Sequence, residues 1–263
     1  MTSVWATALA TALILFNATN TFANEIYITQ SGDGLDLNID QKGENNQVKG
    51  LTTTNAPIDG ANNTLTINQG YEGNNLIEMS IDGNNNNLTV NQERSNTGGY
   101  DTNSYGHHEV VADIAGDFNS VNITQRNNND STVGHRSEVV VLGGNNNTVS
   151  TLQTGSGGGG TIGHESSVWI RSERDDNTVD IFQNSDVADH RSVISVYSDG
   201  NNIDVNQTGN TQNNAYVLFS GNSVGPTNFT LNQNGGDTYG NPDGSYATIN
   251  CGNAGGCIVT VSQ

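Results

Sequence analysis

Positive charge is what this chain has least of: eight Lys and Arg stand against 27 Asp and Glu, a formal net charge of −19 over 263 residues. Such a surface cannot neutralise phosphates, which excludes nucleic acid as a partner and disfavours docking on anionic lipid. Apolar residues are sparse too, at 32 %, with 6 % aromatic. That is little for a globular core. The two cysteines form no zinc-type cluster, and they suit an oxidising compartment. A Walker-type phosphate loop, a nucleophile elbow and the calcium-binding nonapeptide of other β-solenoids are all missing. The composition therefore points away from an enzyme, and no cofactor is expected. One apolar run, from Trp5 to Phe16, is too short for a confident membrane span. Thr21-Phe22-Ala23 follows it, with small residues where a signal peptidase reads. Residues 1–23 are expected to be a signal peptide, with 24–263 a single secreted, extracellular or cell-surface unit that has no membrane span.

What the chain has in abundance is one phrase: apolar-x-Gly-x-x-Asn-x-apolar-x-apolar-x-Gln. It reads Ile58-Asp59-Gly60, Asn63, Leu65, Ile67, Gln69, and returns as Ile81, Gly83, Asn86, Leu88, Val90, Gln92 and as Ile114, Gly116, Asn119, Val121, Ile123, Gln125. Looser copies end at Gln153, Gln183, Gln207, Gln233 and Gln263. The copies are spaced by roughly 23 to 33 residues, a period that marks an array in which each unit covers the open face of its neighbour. Each unit reads as strand, tight arc, strand, linker, because Gly and paired Asn supply the positive φ that a sharp reversal needs. Around the arc the side chains alternate, so that Leu65, Ile67 and Gln69 share one face while Thr64, Thr66 and Asn68 share the other. The fold class is all-β: a β-solenoid of about nine strand–arc–strand rungs, with variable linkers on one edge.

A buried amide in every unit is costly alone. Stacked on its equivalents, each amide donates to one neighbour and accepts from the other. The expected ladder comprises Gln30, Gln41, Asn63, Gln69, Asn86, Gln92, Asn119, Gln125, Asn147, Gln153, Asn177, Gln183, Gln207, Gln233 and Gln263. Pro57 falls where a first strand should run, and its missing donor is expected to break the pairing locally.

Two further groups stand out. His107, His135, His164 and His190 each precede a first strand, six or seven residues before Ile114, Leu142, Ile170 and Val196. Stacked rungs would align them along one edge. The column is either a divalent-metal site, an edge that charges near pH 6, or a turn residue inherited by unit duplication, and the last reading is preferred. At the far end Cys257 stands where other units carry the arc Asn, with Cys251 near the arc Gly, so a Cys251–Cys257 disulfide across the arc is expected.

The units resemble curlin repeats, the building blocks of curli amyloid subunits, whose repeat reads Ser-x5-Gln-x-Gly-x-x-Asn-x-Ala-x3-Gln. The matching stretches are Asn24, Gln30-Ser31-Gly32, Leu35-Asp36-Leu37 and Gln41; then Gln41-Lys42-Gly43 with Asn46-Gln47-Val48; then Gln207-Thr208-Gly209 with Asn213-Asn214-Ala215. The linkers are longer than in that family, and its Gly-rich secretion segment is missing. The resemblance implies a solenoid that joins end to end into extracellular fibres serving adhesion or a biofilm matrix, with curli-type export and nucleation partners. The alternative from the residues themselves is a monomeric secreted binding module, its Thr, Asn and Ser columns facing a polysaccharide or an ice surface.

Overall fold

Alternation with a period of two, interrupted by Gly and Asn, permits only short strands joined by tight arcs. The computed structural model describes residues 24–41, 45–52, 55–70, 74–94, 108–127, 134–155, 162–171, 174–220, 227–236, 238–240, 247–249 and 258–263. Its strands lie in two parallel sheets, one of nine strands and one of twelve segments. The nine-stranded sheet holds the second strand of every unit, in sequence order: Asp36–Gln41, Thr64–Gln69, Asn87–Arg94, Ser120–Asn127, Thr148–Thr154, Thr178–Asn184, Asn202–Thr208, Asn228–Asn234 and Ile258–Ser262. The other sheet holds the first strands. Six are continuous (Leu76–Asp82, Glu109–Ala115, Gly134–Val141, Ile162–Ile170, Arg191–Val196, Asn214–Phe219) and three are split (Glu25–Ile26 with Ile28–Ser31, Gln47–Gly50 with Ala56–Asp59, Thr238–Tyr239 with Ala247–Ile249). One strand from each sheet makes a rung, and the nine rungs stack as a β-solenoid. Among the described residues no helix is long and apolar enough to cross a membrane.

Pairing is parallel and in register, so each position stacks on its own equivalent: Leu88 on Val121 and Val149, Gln92 on Gln125 and Gln153. The inward columns form one continuous core. In rung 3, Ile77, Met79 and Ile81 of the first strand face Leu88 and Val90 of the second, all at most 1 % exposed. Removing such side chains from water contributes ~1.5–3 kcal/mol each, repeated rung after rung. Pro57 interrupts pairing on one side only. It pairs with Thr29 below, but the register with rung 3 resumes one residue later, at Ile58–Ile81.

The arcs explain the Gly-x-x-Asn phrase. Gly60, Gly83 and Gly116 have φ of 110°, 139° and 107°, and two residues on, Asn62, Asn85 and Phe118 sit at 57°, 57° and 59°. The glycine is required twice over. A Cβ on Gly60, Gly83 or Gly116 would lie 2.0, 2.0 or 2.1 Å from the carbonyl oxygen of the next rung's arc.

Candidate functional site

Because every rung repeats the same backbone, a polar side chain facing along the stack meets its own counterpart. Four such columns hold the rungs together, and the glutamine ladder runs to both end rungs.

The first is the glutamine ladder at the end of the second strands. Gln41 Nε2 donates to Gln69 Oε1 at 2.8 Å. The same link runs Gln92–Gln125–Gln153–Gln183–Gln207–Gln233–Gln263 at 2.8 to 3.1 Å. The second amide hydrogen reaches the first strand of the same rung: Gln125 donates to the Glu109 carbonyl, Gln153 to that of Arg136 and Gln183 to that of Glu165. Gln125, Gln153 and Gln183 thus tie their two sheets together as well as their rung to the next, whereas Gln69 donates to the Gln47 carbonyl of its own rung and leaves Gln92 Oε1 without a partner.

The second column is the arc asparagine, Asn63–Asn86–Asn119–Asn147–Asn177–Asn201. Each Oδ1 accepts the next asparagine's backbone N–H at 2.9 to 3.0 Å. In the early rungs the Nδ2 donates to the arc carbonyl of the next rung: Asn63 to Gly83, Asn86 to Gly116, Asn119 to Gly144. A third column on the outside of the arc runs in the opposite sense. Here Asn84, Asp117, Asn145, Asp175 and Asp199 each accept a backbone N–H from the rung before.

The fourth column contains the histidines. It sits at the corner just before each first strand and reads Asn24, Asn46, Asn75, His108, His135, His164, His190, Asn213, ending on the backbone N–H of Gly236. Every side chain accepts the backbone N–H of the next member, through Oδ1 or through Nδ1, at 2.9 to 3.2 Å. Imidazole Nδ1 here does what asparagine Oδ1 does elsewhere. Accepting at Nδ1 leaves the proton on Nε2, which in His135 lies 3.0 Å from the Gly155 carbonyl; His164 Nε2 lies 2.8 Å from the Thr154 carbonyl and also meets the Ser185 N–H at 3.1 Å. The four rings stack with centroids 5.2, 4.9 and 5.0 Å apart. Burial and the neighbouring rings push His135 and His164 down to about 3, and burial lowers His190 as well.

These facts correct several expectations. The first histidine of the column is His108; His107 lies outside the described residues. The spacing is a uniform six residues, from His108 to Ile114, His135 to Val141, His164 to Ile170 and His190 to Val196. Val141 is the buried residue, and Leu142 points outward, 39 % exposed. The column is an interior corner, so burial opposes charging near pH 6. Parallel rings with Nδ1 engaged do not converge on an ion, and among the described residues no cluster of three or more His, Cys, Asp or Glu could hold a metal. Gln30 stands outside the ladder: it pairs with Ile58, and its Nε2 donates to the Gly32 carbonyl. Its column is apolar in the next rungs, through Ile81 and Ile114. Cys251, Cys257 and residues 1–23 lie outside the described residues, as do the linkers 95–107 and 156–161.

Sequence reasoning missed the buried hydroxyls. Ser137 bonds Thr151 and Ser166, each at 3.1 Å, and Ser192 meets Gln207 Oε1 at 2.8 Å. The signal was there: Ser137, Ser166 and Ser192 each follow a column histidine by two residues.

Outside, charge is arranged by the same stacking. Glu109, Arg136, Glu165 and Arg191 alternate in sign up one column with contacts of 3.1 to 3.4 Å. On the other sheet Asp180 stacks on Asp204, and desolvation raises both carboxyls above the usual range, with Asp204 adding to the effect on Asp180. The two end rungs keep apolar columns only half covered: Ile26, Ile28, Leu37 and Ile39 at one end, Val259 and Val261 at the other. Comparison with protein families, with curated proteins and with solved structures finds no match to this chain.

Proposed function

We propose that this chain is a structural subunit of extracellular, curli-like amyloid fibres serving adhesion or a biofilm matrix, in which copies join the last rung of one to the first rung of the next. The observation that carries the reading is that the end rungs are complementary in both register and polarity. The ladder bonds, interrupted between Gln69 and Gln92, all donate forward, so Gln263 keeps a donor while Gln41, at the other end, keeps an acceptor. Continuing the stack by one rung brings Val259 over Leu37, Val261 over Ile39 and Gln263 over Gln41 of a second copy, the same columns that run through the interior. The half-covered apolar side chains would be buried, and the unpaired strand edges satisfied. Such a head-to-tail contact does not close on itself and generates a filament.

The test is assembly of the mature protein, followed by light scattering, thioflavin fluorescence and fibre diffraction. Wild type is expected to give fibres with a reflection at ~4.7 Å. Gln41→Glu and Gln263→Glu are expected to block joining, because each puts a negative charge in the junction with no cation to compensate it and removes an amide donor from the ladder. Asn38→Asp, on the outer face, is expected to join normally. A chain that stays monomeric for days at high concentration refutes the reading. That outcome would favour a monomeric module binding polysaccharide or ice, for which the flat outer face carrying Thr64, Thr66, Thr89, Thr148 and Thr178 is the supporting observation.

A further inference from the structure

The histidine corner has a property that its asparagine counterparts lack. An asparagine Oδ1 accepts a hydrogen bond at any ordinary pH. Nδ1 of an imidazole accepts only while the ring is neutral. In rungs 4 to 7 the inter-rung bond at this corner depends on Nδ1 of His108, His135, His164 and His190, which take the N–H groups of His135, His164, His190 and Asn213 at 3.1 to 3.2 Å. A proton on Nδ1 would point N–H at N–H, break that bond, and place a cation against a ring ~5 Å away.

Among the described residues little surrounds the column that could stabilise such a charge. The neighbours acting on His135 and His164 are other rings of the column and the backbone groups of Arg126, Thr154, Gly155 and Ser185. Asp189 acts on His190, in the direction of raising it, but burial outweighs it and the net shift is downward. The charged residues that directly follow the column, Glu109, Arg136, Glu165 and Arg191, are partly exposed and pair with one another.

We propose that the stacked imidazole corner is an acid-sensitive fastening: rungs 4 to 7 close only when the column is neutral, so acidification opens the middle of the solenoid while the asparagine corners on either side stay competent. The direction follows from linkage. An unfolded histidine protonates below about pH 6.5, whereas burial holds His135 and His164 at about 3 in the fold. Between those values the unfolded chain binds more protons, so stability is full above about pH 6.5 and falls as the pH drops toward 3. Each such histidine lowers the folding equilibrium constant about tenfold per pH unit through that window, and two lower it about a hundredfold. Asp180 and Asp204 work the other way: their raised values favour the fold as pH falls, so they cannot produce an acid loss.

The experiment compares full-length wild type with the double substitution His135→Asn and His164→Asn, unfolded in urea at pH 7.5, 6, 5 and 4. Asparagine already fills this corner at Asn46, Asn75 and Asn213, so the variant retains an acceptor at each site. The expected result is a wild-type acid slope reduced in the variant by about two proton equivalents, or about a hundredfold per pH unit. An unchanged slope overturns the proposal. If the variant does not fold, nitrogen-15 spectra of the wild-type imidazoles at pH 5 decide. Neutral rings protonated at Nε2 support the fastening; imidazolium in the intact fold overturns it.

Discussion

Replacing Gly116 by Ala tests the stacking geometry at its tightest point. Gly116 has φ of 107°, where an L side chain is strained by ~1–3 kcal/mol. The added Cβ would lie 2.1 Å from the Gly144 oxygen and 2.9 Å from its carbon, so one arc must lift away from the other by on the order of 1 Å. Two hydrogen bonds bridge the arcs there, Asn119 Nδ2 to the Gly144 oxygen at 2.7 Å and the Gly143 N–H to the Ala115 carbonyl at 3.1 Å. Losing both costs roughly 1 kcal/mol each, and more where the amides are left buried without partners. Together the effects come to about 3–5 kcal/mol, a large part of the ~5–15 kcal/mol that keeps a domain folded. Urea denaturation followed by circular dichroism should show the loss as a lower midpoint. The matched control is Asn85→Gly, at φ of 57° on the exposed tip of the preceding arc, which is expected to change stability by under ~0.5 kcal/mol. A Gly116→Ala chain within ~1 kcal/mol of wild type would show that the rungs are not held this closely.

At neutral pH, His164→Asn is expected to cost about 1–2 kcal/mol and His164→Ala about 3–4 kcal/mol, since alanine leaves the His190 N–H unpaired and a cavity behind. Equal losses in urea titrations would mean that the ring only fills space. Phe118 holds φ of 59° while 58 % exposed, so Phe118→Asn is expected to raise stability by about 0.5–1 kcal/mol, read as a higher melting temperature. A lower melting temperature would mean that the ring makes a contact worth more than its backbone strain.

The alternation of Leu65, Ile67 and Gln69 against Thr64, Thr66 and Asn68 was legible because a strand's two faces are encoded by neighbours in sequence. The arc was legible for a similar reason, since Gly at positive φ is a local requirement that the chain restates in each early unit. Gln30 was misread because the Gln-x-Gly phrase matches in sequence what the stack does not match in space. Only the pairing with Ile58 shows that its column is apolar. His107 and His108 posed a similar problem: the letters are the same, and only the register of Glu109 on Leu76 and Arg136 puts His108 in line.

Sequence alone determined that this protein is a stack of nearly identical rungs, because period, apolar alternation and turn chemistry are each carried by residues a few positions apart. Tertiary structure decided what each column is made of. Asn75, His108 and Asn213 are unlike as letters and lie far apart in the chain, and they become equivalent only when parallel registry brings each beneath the N–H of the next rung. That equivalence is a property of one acceptor atom at one height. The linkers before those residues differ in length, so nothing short of the folded stack sets that height.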